Sequence, residues 1–183
     1  FDCGPRLWWA DADEVTEGAF DSEGTLILER QHLTREESDA IIAQTCERLR
    51  AGNVLAIKGL GGWHLACDAC NEKAVERLRT RKHRPSKPLA VMVRDLDMAR
   101  TYAKVSEREA ELLESPACPI VLLKRSSDSP IAANVAGDLP EIGIMLPATP
   151  LQHLLMHELD APLVMTSGNR SGEPIVATDR EAL

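Results

Sequence analysis

One stretch decides how this chain folds: Arg77-Leu-Arg-Thr-Arg-Lys-His-Arg-Pro-Ser-Lys-Pro-Leu-Ala-Val-Met92. Its first half reads as the end of a helix, and Pro85 and Pro88 prevent that helix from continuing. The apolar run at residues 89–93 follows at once and predicts a buried strand. The stretch therefore predicts a rigid helix–turn–strand unit, which is typical of an α/β fold.

The same stretch concentrates positive charge. Six Lys or Arg side chains and no acidic residue lie between positions 77 and 87, in a chain whose formal net charge is −8. Cations on a rigid turn can bind phosphate or carboxylate, Lys as a point charge and Arg as a planar fork. A second interpretation stays open, in which they lie on a solvated helix end and complement its dipole. In either case we expect Lys82 and Arg84 to be exposed.

The composition describes an ordinary globular domain. The chain has 183 residues, 44% of them hydrophobic and 27% charged, which is enough for one good core. Aromatic residues make up 3% and the pI is about 5.2, which disfavours base stacking and non-specific binding to a phosphate backbone. No window has the run of about 18 apolar residues that a membrane span needs.

The cysteines predict a reduced, cytoplasmic protein. There are five, an odd number at irregular spacings, which argues against a secreted disulfide framework. Cys67-x-x-Cys70 lacks a second pair to complete a zinc site, so we expect Cys67 to pack in the core. Cys3-Gly-Pro resembles the trailing half of a zinc knuckle whose first cysteine would precede Phe1. Both ends look cut, so we expect a fragment of a longer protein, in which Cys3 is a possible zinc ligand.

Helices and strands alternate along the chain. Thr34-x-x-Glu37 and Ser106-x-x-Glu109 are capping boxes that begin helices. Another predicted helix begins at Asp68 or Asn71, and two more cover residues 96–103 and 151–159. The predicted strands cover residues 25–28, 53–58, 63–67, 89–93, 119–124, 142–146 and 162–166. Without strict hairpin spacing, this order predicts an α/β sandwich with a twisted, mixed β-sheet.

Two loops at predicted strand ends are candidates for ligand binding. Gly59-Leu-Gly-Gly62 lets the backbone approach a ligand closely, but no helix opens on it, so it is not a dinucleotide fingerprint. Ser167-Gly-Asn-Arg-Ser-Gly-Glu-Pro174 is either a ligand loop or a polar turn. If the Ser167 loop and Lys82-x-Arg84 face one concavity, cations and neutral donors converge there, as a nucleoside triphosphate requires.

The remaining polar candidates are weaker. His64 and His153 adjoin apolar residues, which favours core histidines over catalytic bases, although His64 stays a pocket candidate because it follows the glycine loop. Asp68 and Glu173 are more typical of a cap and a surface charge than of magnesium ligands. Ser167 has no His–Asp pair in its neighbourhood and no G-x-S-x-G elbow, so we expect no covalent acyl-enzyme.

Several segments together resemble one known family. Lys82-His-Arg84 with Pro88 resembles the K-x-R motif of YrdC-like domains, and Ser167-Gly-Asn169 resembles their S-x-N motif. Within that superfamily, three segments resemble HypF-type carbamoyltransferases of NiFe-hydrogenase maturation: KGLGGWHLACDA (58–69), GIMLPATPLQHLL (143–155) and VMTSGNRSGEPI (164–175). The N-terminal CGPRL also fits, because that family places two zinc-knuckle modules just before its YrdC-like domain.

The resemblance implies a fold and an activity. The fold would be a YrdC/RibB-like three-layer sandwich over residues 25–183, truncated at its C-terminus, with residues 1–24 as the tail of a zinc-knuckle module and a linker. Carbamoyl phosphate would supply a carbamoyl group, which this domain activates with ATP and Mg2+ as carbamoyl adenylate, releasing pyrophosphate. Another domain would pass the group to the partner HypE, and zinc would lie outside this chain. The family is also associated with double-stranded RNA, although nucleic acid is not an expected partner here.

The resemblance also implies roles for individual residues. Lys82 and Arg84 would be catalytic and hold the triphosphate. The nucleotide site would comprise Lys58, Lys82, Arg84, Ser167, Asn169 and Ser171, and the substrate pocket Gly59, Gly61, Gly62 and His64. Lys58 stands where tRNA-modifying relatives usually carry a small hydroxyl residue, which favours the carbamoyl branch.

Two other functions stay open. A free-standing threonylcarbamoyl-AMP synthase of tRNA modification would release pyrophosphate in a threonine-dependent reaction. A non-enzymatic RNA-binding module would use the basic stretch, and would bind RNA in a salt-dependent manner without affinity for ATP.

Overall fold

The computed structural model describes residues 7–11, 15–16, 19–26, 34–169 and 172–182. Its helices are α1 (Arg35–Arg50), α2 (Glu72–Lys82), α3 (Leu96–Tyr102), α4 (Glu107–Leu113), α5 (Pro150–Leu159) and α6 (Asp179–Ala182). Its strands are β1 (Leu55–Lys58), β2 (Trp63–Asp68), β3 (Val91–Met92), β4 (Ala103–Lys104), β5 (Val121–Arg125), β6 (Glu141–Met145) and β7 (Leu163–Ser167). A 3-10 turn, Ala133–Val135, lies between β5 and β6.

The strands form one mixed sheet in the order β1-β2-β7-β3-β6-β5-β4. The β3–β6 pair is parallel, and the other neighbouring strands are antiparallel. The predicted α/β fold with a mixed sheet is therefore confirmed. Because β7 lies between β2 and β3, the loop after Ser167 begins inside the sheet rather than at its edge.

The helix starts follow the predicted capping chemistry. Thr34 and Ser106 each accept a hydrogen bond from the third helical amide, and the glutamate side chain at that position accepts the backbone N–H of the cap residue, so both capping boxes are confirmed. At α2 the cap is Asn71, which accepts the N–H of Ala74. Asp68 instead accepts the N–H of Cys70 at 2.8 Å.

Two local predictions are wrong. The helix predicted to run to residue 103 ends at Tyr102, because Ala103 and Lys104 turn extended and pair with β5. His153 is exposed rather than part of the core. On α5 the buried stripe passes through Leu155 and Leu159, whose side chains face the core, and His153 lies outside it.

The core agrees with the strand pattern. Cys67 is fully buried, and Met92 and Met165 are 2% and 4% exposed, as predicted. Met145 is partly buried and packs against the same cluster. Among the residues that the structure describes, no helix combines the length and apolar character needed to cross a membrane.

The N-terminal part of the described chain packs beside its C-terminal part. Phe20 and Leu26 form an isolated antiparallel bridge, whereas residues 27 and 28 of the predicted first strand lie outside the described residues. Arg180 donates its N–H to the carbonyl of Gly24 at 3.0 Å. The predicted domain boundary between residues 24 and 25 stays a prediction.

The basic stretch owes its shape to Arg79, which is only 6% exposed. Its guanidinium donates to the carbonyl oxygens of Arg84, Pro85 and Lys87 in the turn after α2. It also donates to the carbonyls of Asn134, at 2.6 Å, and Val135, at 3.1 Å. A single side chain thus ties α2, the turn that follows it and the 3-10 turn together.

We expect Arg79→Met to lower the free energy of unfolding by about 3 kcal/mol, because five carbonyls, most of them partly buried, lose a charged donor. Arg81→Met is the matched control, since Arg81 is exposed on the same helix, and it should stay within about 0.5 kcal/mol of the parent. Urea unfolding measures both. Equal stability of the two variants would show that the Arg79 contacts do not support the fold.

Candidate active site

The K-x-R turn follows directly from the way α2 ends. His83 adopts the left-handed conformation, with φ of 50°, and closes the helix after Lys82. The N–H of Arg84 then bonds the carbonyl of Arg79 at 3.0 Å. The Arg84 guanidinium donates to the Pro88 carbonyl at 2.7 Å, so this half-buried side chain braces its own turn.

Lys82 joins the two motif loops. Its ammonium donates to the backbone carbonyl of Ser167, to that of Asn169 at 2.9 Å and to the Asn169 side-chain oxygen, also at 2.9 Å. Lys82 is 3% exposed, so the expectation of an exposed cation is wrong. The reason is its position on α2: Val75, Leu78 and Arg79 precede it at helical spacing on the buried stripe.

Burial, together with the positive charge of Arg84, lowers the pKa of Lys82. Both effects penalise the charged ammonium. An anion placed between Lys82 and Arg84 would reverse the penalty, so this position favours a negatively charged ligand.

Ser167 and Lys82 direct donors at one oxygen atom. The Ser167 hydroxyl donates to Asn169 Oδ1 at 2.5 Å, and the Lys82 ammonium donates to the same atom. The Asn169 amide nitrogen donates in turn to the carbonyl of Glu173. Asn169 therefore closes the S-x-N loop on itself, and its side-chain oxygen lies where an anionic oxygen would receive the same two donors.

Gly168 allows the S-x-N loop to lie against β2. Its N–H bonds the carbonyl of Trp63 at 2.6 Å, and a Cβ on Gly168 would lie 2.8 Å from that same oxygen. No larger residue fits there without moving the backbone. The glycine thus holds the loop beside the start of β2.

The glycine loop has a parallel constraint at Gly62. This residue has φ of 141°, and a Cβ would lie 2.6 Å from the carbonyl of Val176. The loop is closed by a hydrogen bond from Gly59 N–H to the Gly62 carbonyl at 2.8 Å. Gly61 has open space around it, and Leu60 is 92% exposed at the tip.

His64 lies beside the Lys82 site. It is opposite Ser167 in the β2–β7 ladder, so the two side chains share one face of the sheet. Burial lowers the pKa of this half-buried imidazole, and the charge of Lys82 lowers it further. The structure thus brings His64, Lys82, Ser167 and Asn169 together.

Lys58 is not brought together with these residues. It is opposite Trp63 in the β1–β2 ladder, and Trp63 and His64 are consecutive, so their side chains point to opposite faces. The Lys58 ammonium forms an ion pair with Asp179, whose carboxylate is fully buried. Asp179 also accepts the N–H of Leu26 at 3.0 Å.

Metal and thiol chemistry find little support in the described part of the chain. No group of three or more His, Cys, Asp or Glu residues there could hold a metal ion. Burial raises the pKa of Cys67 to about 12 and that of Cys70 to about 11, so neither thiol ionises readily. Cys3 and Ser171 lie outside the described residues.

Two structural residues of the site region were missed from the sequence. Arg79 was counted with the basic stretch, although its spacing of four from Val75 and one from Leu78 already indicated the buried stripe. Asp179 carries no comparable signal, because its partners Lys58 and Leu26 lie 121 and 153 residues away in the chain.

A family model for Sua5/YciO/YrdC, described as "Telomere recombination", matches residues 47–183. The chain belongs to this family. Its structure places the Lys82 turn and the Ser167 loop in contact.

Within the family, the predicted resemblance to HypF is confirmed. The chain is 45% identical to Carbamoyltransferase HypF of Rhodobacter capsulatus over 99% of its own length and 21% of that protein. A crystal structure of full-length HypF in a phosphate- and nucleotide-bound form is 48% identical, with a TM-score of 0.75 over 78% of this chain and 19% of that one. Threonylcarbamoyl-AMP synthase of Vibrio vulnificus is 31% identical over 72% of the chain and 73% of that protein. The chain spans about a fifth of the length of these HypF proteins.

We expect His64→Gln to lose less stability than the parent when the pH falls from about 7 to about 5. Burial lowers the pKa of His64, so below its ordinary value of 6.5 the unfolded chain binds more protons and folding weakens. Urea unfolding at several pH values measures the difference. His153→Gln, at an exposed position, should follow the parent; identical pH curves for both variants would contradict the assignment to His64.

Proposed function

We propose that this chain activates a carbamoyl group with ATP, forming carbamoyl adenylate and pyrophosphate, as one step of a HypF-type carbamoyl transfer. The observation that carries the proposal is the contact of Lys82 with the S-x-N loop, in which two donors converge on one oxygen. The nucleotide in the HypF crystal structure and the carbamoyl chemistry in the names of both groups of relatives support it.

The reaction needs little covalent help from the protein. Water hydrolyses carbamoyl phosphate to carbamate and inorganic phosphate, and an oxygen of this carbamate attacks the α-phosphorus of ATP. The bond from this phosphorus to the bridging oxygen breaks, and pyrophosphate leaves with the electron pair. The protein's task is to align the reactants and neutralise charge.

The residues divide that task. Lys82 exchanges Asn169 Oδ1 for a phosphate oxygen, and Arg84 adds a second positive charge beside it. Ser167 turns its hydroxyl from Asn169 Oδ1 to the same ligand, while the Asn169 amide nitrogen keeps its hydrogen bond to the Glu173 carbonyl. Gly59, Gly61, Gly62 and His64 line the space for the carbamoyl group. The pKa of His64 is lowered, so it supplies a neutral imidazole.

ATP normally arrives with Mg2+, and the fit of the ion to this chain can be judged from the donors present. Asp68 is committed to the N–H of Cys70, and Glu173 is exposed. The described residues provide no carboxylate cage. Magnesium would therefore be held mainly by the phosphates, and none of the roles above depends on it.

The wider context belongs to the same proposal. In the longer protein, the activated group would pass to a HypE-type acceptor, and zinc would bind to knuckles that include Cys3. We place the protein in the cytoplasm, where the reduced state of its cysteines is maintained. Double-stranded RNA is not part of the proposal, because the basic stretch is largely committed to backbone carbonyls.

A second candidate is threonylcarbamoyl-AMP synthesis, favoured by the identity to the Vibrio vulnificus enzyme over most of its length. That reaction would use the same nucleotide contacts and differ in the acyl group. Lys58, the residue whose presence favoured the carbamoyl branch, is held in an ion pair with Asp179. The two candidates are therefore separated by substrate rather than by the nucleotide site.

The first test concerns Lys82. We expect Lys82→Met to weaken ATP binding by about ten- to a hundredfold, because a charge-assisted hydrogen bond contributes roughly 1.5–3 kcal/mol. Isothermal titration calorimetry with ATP and Mg2+ measures the affinity. Since Lys82 is buried, urea unfolding of the same variant must show that it remains folded.

Lys87→Met is the matched control, because Lys87 belongs to the same basic stretch and is exposed. It should leave ATP affinity within about twofold of the parent. Equal losses in both variants would mean that ATP is attracted by general positive charge rather than by the Lys82 site.

The second test separates the two candidate reactions. We expect ATP–pyrophosphate exchange with freshly dissolved ammonium carbamate and none above background with threonine plus bicarbonate. Ammonium bicarbonate without carbamate controls for the equilibrium between these species. Exchange that requires threonine would replace the carbamoyl assignment by threonylcarbamoyl-AMP synthesis.

A further inference from the structure

β1 is one of the two edge strands of the sheet that the described residues form, the other being β4. In the strand order, β1 has β2 as its neighbour on one side and no strand on the other among the described residues. All six residues from 53 to 58 line a groove of about 820 Å3. An edge strand inside a groove is a surface to which another extended chain can add.

The backbone groups that face the groove can be identified from the ladder. Trp63 donates its N–H to Val176 at 2.8 Å and accepts from Gly168 at 2.6 Å, so its polar groups point toward β7. Lys58 is directly opposite Trp63. In an antiparallel ladder, the backbone N–H and C=O groups of two opposite residues either point toward each other or both point away from each other. The N–H and C=O of Lys58 therefore point away from β2, and by the two-residue period those of Ala56 do too.

The same backbone groups have no partner in the described part of the chain. Hydrogen-bonded and non-hydrogen-bonded residue pairs alternate along an antiparallel ladder. The hydrogen bond from Gly59 N–H to the Gly62 carbonyl agrees with this, because Gly59 and Gly62 are the next pair after Lys58 and Trp63. Among the described residues, none outside β2 forms a hydrogen bond with the backbone of Ala56 or Lys58. Ala56 is exposed, so its small side chain leaves room for an approaching strand.

The groove is lined by apolar surface and by cations from two helices. Leu7, Trp8 and Ile41 contribute apolar side chains, while α1 supplies Arg48 and α2 supplies Arg77 and Arg81. Arg48 stacks over the Trp9 ring at 5.7 Å, and Arg77 donates to the Gly52 carbonyl.

Arg81 is exposed and has no hydrogen bond or ion pair among the described residues. Asp11 is the one carboxylate that the described lining includes.

We propose that this groove binds an extended acidic peptide, which adds to the free edge of β1 through Ala56 and Lys58 and is selected by Arg48 and Arg81. The backbone groups select an extended chain, since a small anion would leave their alternating donors and acceptors unmatched. The arginines select acidic side chains in a chain whose net charge of −8 would otherwise repel them. The site is distinct from the Lys82 site and does not depend on the function proposed for it.

The test uses the full 183-residue chain and an eight-residue fluorescein-labelled peptide that alternates valine with glutamate. Fluorescence anisotropy should detect binding that weakens as sodium chloride is raised. Arg81→Glu should weaken binding by about tenfold. Arg108→Glu, at an exposed position on α4 outside the groove, should leave it unchanged. The same peptide with lysine in place of glutamate should not bind.

The backbone contribution is tested with a changed peptide and with one protein variant. A version of the peptide in which alternate amides are replaced by esters should bind at least tenfold more weakly, because esters cannot donate hydrogen bonds. Ala56→Pro should have a similar effect, since proline removes the outward N–H, and edge strands tolerate it. Equal binding of the ester peptide, equal binding of the lysine peptide or an unchanged affinity of Arg81→Glu would each overturn the proposal.

Discussion

The Arg79 guanidinium is the interaction on which the basic turn depends. It satisfies five carbonyl oxygens that belong to the turn after α2 and to the 3-10 turn near Asn134. Without it, these partly buried carbonyls would lie beside a proline-rich loop that has few donors of its own. A planar side chain with five N–H groups suits this role better than lysine, whose three donors share one atom. The direction in which α2 delivers Lys82 is fixed by the same contacts.

The position of β7 then determines what Lys82 meets. Because β7 lies between β2 and β3, the carbonyls of Ser167 and Asn169 emerge from the middle of the sheet, where the strand ladder ends. A buried lysine is costly unless acceptors surround it, and these carbonyls provide them. The two motif loops are thus held together by the need to satisfy one cation. Asn169 Oδ1 is a third acceptor for the same ammonium.

Much of the architecture followed from local signals in the sequence. The capping boxes at Thr34 and Ser106 and the prolines after Arg84 mark the ends of helices, and these signals depend only on nearby residues. The strand β4 was missed because its pairing with Lys124 and Arg125 is a long-range contact. His153 was misplaced because an apolar neighbour in sequence does not determine the face of a helix, whereas spacing from Leu155 and Leu159 does.

The two lysines of the predicted nucleotide site show why the rest could not be obtained from motifs alone. Lys58 and His64 flank the same glycine loop, and a linear motif treats them as one pocket. The pleat separates them, because Lys58 pairs with Trp63 while His64, one residue later, pairs with Ser167. The buried carboxylate of Asp179, far away in sequence, then holds Lys58 on its own face. One face of β2 therefore adjoins Lys82 and Ser167 of the candidate active site, while Lys58, on the other face of the sheet, joins β1 to α6. A change at Lys58 would thus act on the candidate site through the position of the glycine loop rather than through direct contact with a ligand there.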